Sequence, residues 1–205
     1  MMKRYAMEFV GTFFLTVAIS LIANPIVIGL MLMAMIYVGG HISGAHFNPA
    51  VSFVCFIQNR LKLADMGIYI IAQSLGAILA LCFFMMITNG SFTLDVVPGS
   101  PILAPMATEA LLVLLFAWVY LTMNLMTRYK DTAIPGVVLG LTLLAIAFAG
   151  GLFNPAVAIA SIVCSVIREG SLNAIAMGSV VVYIVGPLLG AFGASFMFDY
   201  FKSEV

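Results

Sequence analysis

Asn-Pro-Ala occurs twice in this 205-residue chain, at Asn48-Pro49-Ala50 and Asn154-Pro155-Ala156, each after a Gly-rich stretch and each opening a short apolar run. An Asn side chain can accept from the amides of a first helical turn, and Pro at the first helical position gives up an amide that had no partner there. Two short helices are predicted to begin at these points. They lie in a chain that is 64% hydrophobic and 8% charged, too apolar for a soluble domain to cover its surface. At membrane depth, the irregular backbone before such a start is tolerated only where it is buried in protein or lines a water-filled cavity. The repeated motif therefore marks a polar pathway through an integral membrane protein.

Six long apolar segments, near residues 5–23, 25–39, 66–88, 103–126, 132–149 and 173–198, approach the ~20 residues that cross a bilayer. The second and fifth are short for spans. Each is followed directly by a half-length segment, 48–57 and 154–166, too short to cross and read as a re-entrant half-helix. The predicted fold is all-α: six transmembrane helices plus two half-helices in a single domain. Lys3 and Arg4 before the first apolar run resemble a signal peptide, but five further spans follow, so this run is read as a retained first helix.

Six crossings put seven of the eight basic residues on one side, namely Lys3, Arg4, Arg60, Lys62, Arg128, Lys130 and Lys202, with Arg168 opposite. The positive-inside rule then predicts cytoplasmic termini, with the first half-helix entering from the cytoplasm and the second from outside. The chain also repeats itself. Glu8 opens the first span and Glu109 the fourth, with Asn48 and Asn154 following at 40 and 45 residues; Tyr69 to Ala77 is echoed by Tyr183 to Ala191. Three spans per half is an odd number, so the halves, about 1–95 and 100–205, are inverted relative to each other, and a shared path runs on their pseudo-two-fold axis.

The stretch from Gly40 through His41, Gly44, Ala45, His46 and Phe47 to Asn48-Pro49-Ala50-Val51 resembles the first signature of the aquaporins, the major intrinsic proteins, and the likeness extends over essentially the whole chain. The resemblance implies an aquaporin-like bundle with one pore per chain and assembly as a homotetramer. It also implies that Glu8 and Glu109 brace the half-helix loops by accepting from main-chain amides rather than relaying protons. Independently of the family, two half-helix N-termini meeting at mid-membrane each present about half a positive charge. There the amides of Asn48 and Asn154 can donate to a solute oxygen while cations are disfavoured. Ala50 and Ala156 let the two turns approach closely.

His46 is expected to line the cytoplasmic vestibule, and Gly39, Gly40 and Gly44 to allow an unwound stretch whose carbonyls, Ala45 included, face the pore. Gly11, Gly29, Gly67, Gly76, Gly136, Gly140, Gly186, Gly190 and Gly193 are read as crossing points between helices. Cys55, Cys82 and Cys164 lie scattered in apolar runs, an odd number that argues for buried side chains and against a disulfide framework. No metal cluster, nucleophile set, phosphate loop or nucleic-acid patch is legible, so neither a cofactor nor an enzyme is expected.

The chain departs from the family pattern at its outer filter. Val157 stands where the family's Arg follows the second motif, and Ile28 falls where water-selective members carry Phe and glycerol-conducting ones Trp. Ala147 aligns with the usual His, Gly151 is the loop position of the ring, and the stretch from Gly140 to Asn154 is about five residues shorter than the family's pattern. The expected filter, Ile28, Ala147, Gly151 and Val157, is wide and apolar. The function expected is passive conduction of water or small neutral solutes, such as glycerol, urea, ammonia or metalloid acids, across a cell membrane. A coupled transporter using Glu8 and Glu109, or a non-conducting structural member, are the alternatives.

Overall fold

The computed structural model describes residues 1–94, 101–170 and 179–202. Its helices in chain order are α1 (Met2–Ile22), α2 (Pro25–Ser43), α3 (Pro49–Ile57), α4 (Leu63–Thr88), α5 (Leu103–Leu125), α6 (Ile134–Phe148), α7 (Pro155–Glu169) and α8 (Val181–Phe201). The last turn of α1, Ala18–Ile22, and the first of α8, Val181–Val185, are π-helical. Five helices, α1, α2, α4, α5 and α8, are long and apolar enough to cross a membrane. The 15-residue α6 completes six, and α3 and α7 are the half-helices. The predicted start of the last span, near Asn173, lies outside the described residues.

Two expectations need correction here. Helix α2 is not short: it runs for 19 residues, with Gly39 and Gly40 helical and only Gly44, at φ 90°, ending it in a left-handed turn. The reason is packing. A side chain at Gly39 would strike Met7 of α1, so this glycine marks a close approach inside the helix rather than a break. At its other end Asn24 accepts from the Ile26 amide at 2.9 Å, with Pro25 in the first turn, a third use of the Asn-Pro start. Gly67, expected at a crossing, instead faces open space.

The inverted repeat is visible in the packing. Helix α1 lies along α4 as α5 lies along α8, and α2 meets its equivalent α6. The closest approaches are matched: a Cβ on Gly76 would strike the Phe9 carbonyl, and one on Gly190 would strike the carbonyl of Ala110, Phe9's equivalent counted from the paired glutamates. Between α2 and α6, a Cβ on Gly29 would sit 2.6 Å from the Gly140 carbonyl, and one on Gly140 2.9 Å from that of Gly29. Small residues let these backbones touch, the usual source of helix attraction where lipid removes the hydrophobic drive. Outward, Ile71, Leu75, Leu79 and Phe83 form an exposed stripe at four-residue spacing on α4.

Candidate functional site

The two half-helices begin where the two loops preceding them meet. Asn48 caps α3, its Oδ1 accepting from Ala50 N at 2.8 Å; Asn154 caps α7, accepting from Ala156 N at 3.1 Å. The other end of each amide crosses the axis. Asn48 Nδ2 donates to the Phe153 carbonyl at 2.8 Å, and Asn154 Nδ2 donates to the Phe47 carbonyl at 3.0 Å. Each motif thus ties down the residue before the other. An Asn amide carries two N–H groups, so after this crossed bond each Asn keeps one donor for a guest.

Phe47 and Phe153 take left-handed conformations, at φ 49° and 40°, which L-residues adopt at a cost of about 1–2 kcal/mol. The glutamates offset that cost. Glu8 Oε2 accepts from Phe47 N at 2.7 Å and Oε1 from His46 N at 3.0 Å; Glu109 Oε2 accepts from Phe153 N at 2.6 Å and Oε1 from Leu152 N at 2.8 Å. Hydrogen bonds to a charged group are worth about 1.5–3 kcal/mol each, enough to hold the strained residue in place. The loops agree further back, where Gly44 at φ 90° and Gly150 at φ 79° stand four residues before the two asparagines. Seen this way the approach to the second motif is not shortened relative to the first. From Gly150 the two loops match at the glycine and at the Phe, but Ala45 is also left-handed, at φ 52°, where its equivalent Gly151 is not.

The side chains around the two loops differ. Glu8 also accepts from Ser43 Oγ at 2.6 Å and Gln73 Nε2 at 2.8 Å, whereas among the described residues Glu109 is given two amides alone. Gln73 reaches on to Ser52 Oγ at 3.0 Å, and Ser52 pairs with His46 Nδ1 at 3.0 Å. This leaves the His46 Nε2 edge beside Gly44. Tyr69 and Tyr120 donate to the Ser43 and Gly44 carbonyls, and Arg4 Nε donates to the Tyr69 hydroxyl at 3.0 Å. Sequence reasoning missed Arg4, Ser43, Ser52, Tyr69, Gln73 and Tyr120 as parts of the site. Gln73 was the available signal, a buried amide in a span whose repeat equivalent is Pro187.

Of the expected filter residues, Ile28 belongs to the same buried apolar cluster as Phe153 and Ile146, with Ala147 packed on it. A Cβ on Gly151 would strike Leu112 of α5 and come within 3.5 Å of the Phe153 ring. Val157 is 0% exposed and Ile28 7%, so both are buried apolar side chains. Phe153, immediately before the second motif, is buried as well, at 4% exposed. Pro49, Ala50, Pro155 and Ala156 are all buried at the meeting point, as are Ala45 and His46. Gly44 is half-buried.

Comparison with known proteins places this geometry. The family model described as Major intrinsic protein matches residues 16–198. A glycerol uptake facilitator protein-like 6 from Lactiplantibacillus plantarum is 34% identical over 99% of this chain and 100% of its own length. A probable aquaporin NIP-type from Nicotiana alata is 28% identical over 98% of this chain and 78% of its own. The X-ray structure of the aquaglyceroporin from Plasmodium falciparum superposes with a TM-score of 0.82 at 20% identity, covering 98% of this chain and 96% of that one, and so carries the fold. The chain is a multi-pass integral membrane protein and belongs to the major intrinsic protein family.

Proposed function

We propose that this chain is a passive channel that conducts water or small neutral solutes along a single path on its pseudo-two-fold axis, past Asn48 and Asn154. The observation that carries the reading is the crossed pair of asparagine bonds, which fixes both half-helix N-termini at one point and leaves one N–H of each amide for a solute oxygen. The positive ends of α3 and α7 disfavour cations at that point, while a neutral hydroxyl or water finds two donors. Coupled transport finds no support here, because the carboxylates of Glu8 and Glu109 are already engaged by loop amides. Ile28, Ala147, Gly151 and Val157 act as an apolar filter at the second-motif end, admitting small neutral solutes that carry some apolar surface, such as glycerol, urea, ammonia or undissociated metalloid acids. Gly44, Ala45 and His46 line the path at the first-motif end.

The same reading has the chain in a cell membrane with both termini cytoplasmic, as the distribution of basic residues suggests, and assembled as a homotetramer by resemblance to the family. Stopped-flow measurement on proteoliposomes in water, glycerol and urea gradients tests the conduction. Permeability above protein-free liposomes for at least one of the three, with no accompanying cation leak, is the expected outcome. Permeability equal to that of empty liposomes for all three rejects the channel.

A further inference from the structure

Two phenols cap the loop that leads to the first motif, and they are not equivalent. Tyr69 donates to the Ser43 carbonyl at 2.8 Å, is fully buried, and is fixed by Arg4, so it anchors the end of α2. Tyr120 stands on α5, the opening helix of the second half, one turn beyond Phe116, and reaches across to the first-half loop. There its hydroxyl donates to the Gly44 carbonyl at 2.7 Å, and its ring meets the His46 ring edge-on with centroids 5.6 Å apart.

The repeat gives this device no counterpart. Counted from the paired glutamates, the first-half equivalent of Tyr120 is Ile19; counted back from the paired asparagines, the second-half equivalent of His46 is Leu152. The arrangement is thus an addition on one side of the axis rather than a requirement of the fold. A path to the paired asparagines along residues 44–48 must pass the His46 imidazole and the Tyr120 phenol, which are 7% and 4% exposed. Both side chains are held: His46 by Ser52 and by the bond of its own amide to Glu8, Tyr120 by Gly44. A narrow place lined by held rings excludes by size. The Tyr120 hydroxyl also occupies the carbonyl of the glycine that opens the loop, so a solute there meets ring edges before it meets a bare acceptor.

We propose that Tyr120, with His46, forms a second constriction at the first-motif end that sets the upper size of the solute admitted. This rests on the channel reading above. The first-motif end is lined by two hydrogen-bonded rings whose positions are held, and a held constriction sets a sharp size limit.

The test compares wild type with Tyr120→Ala, Tyr120→Leu and Tyr120→Phe in proteoliposomes, using water, urea, glycerol and a four-carbon polyol as probes. Removing the ring is expected to raise the polyol-to-water permeability ratio several-fold in both the Ala and Leu variants, with Phe keeping the wild-type limit. A merely structural role for Tyr120 would lower all permeabilities together and could not produce a gain confined to the larger solutes. Ratios unchanged in both the Ala and Leu variants, or all permeabilities scaled down equally, overturn the constriction. A Phe variant matching the Ala variant also overturns it, because the ring would then not be the limit. A wild-type chain that conducts none of the probes rejects the channel reading itself, whereas a conducting wild type with unmoved variants rejects the constriction alone.

Discussion

The loops before Asn48 and Asn154 share most of a main-chain path, a glutamate brace and a crossed asparagine, but not the side chains around them. Both turn through a left-handed glycine and a left-handed Phe, both hang two consecutive amides on a buried glutamate, and both send an asparagine to the other's carbonyl. Around the first stand Ser43, Ser52, Tyr69, Gln73 and Tyr120; around the second, Leu112, Leu152 and Val157. The difference separates what two meeting helix ends require from what each mouth adds. Main-chain geometry obeys the symmetry of the repeat, and side-chain chemistry makes one approach polar and the other apolar.

The sharpest way to break this comparison is to weaken the two braces equally. Replacing a glutamate by glutamine removes one acceptor oxygen, which serves two donors in Glu8 and one in Glu109. At about 1–3 kcal/mol per orphaned buried donor, Glu8→Gln should cost about 2–6 kcal/mol and Glu109→Gln about 1–3 kcal/mol. Unfolding of the detergent-solubilised protein measures both, and equal losses would contradict the asymmetry. Where the halves agree, variants should agree as well. Gly76→Ala and Gly190→Ala each push a Cβ into a facing carbonyl, so each should destabilise by about 1–3 kcal/mol and to a similar extent.

Next in size is a change at the apolar mouth. Val157→Arg places a long charged donor at a position that is now fully buried. It should cut glycerol or urea flux more than water flux, by roughly tenfold, which is about 1.4 kcal/mol of barrier. Equal reduction of all three fluxes would remove size selection from this end. The smallest effect expected is a gain: Gly67→Ala meets open space inside α4 and should stabilise by about 1 kcal/mol in an unfolding measurement.

Much of the architecture was legible because its signals are local. An Asn-Pro pair starts a helix wherever it falls, and buried glutamates at matching places in two halves announce a shared partner. The end of α2 was not legible, since a glycine reads as a break until the neighbour that demands it, Met7 against Gly39, is known. The polar network around His46 was hidden for another reason. Arg4, Ser43, Ser52, Gln73 and Tyr120 come from five different helices, and no spacing along the chain brings them together. The filter positions could be found only by counting against a pattern, and counting does not reveal that Gly151 lies against Leu112 of α5.

The central claim is that Asn48 and Asn154 act as one site, each holding the other's loop and each offering one donor to the solute. Its most direct test is the stopped-flow solute permeability and cation leak of Asn48→Asp and Asn154→Asp beside wild type. A carboxylate keeps the helix cap but loses both the crossed bond and the free N–H, and it sets a negative charge between two positive helix ends. Both variants should lose solute permeability or admit cations, and to a similar degree. Folded variants that conduct at the wild-type rate and still exclude ions would show that the paired motif only caps its helices.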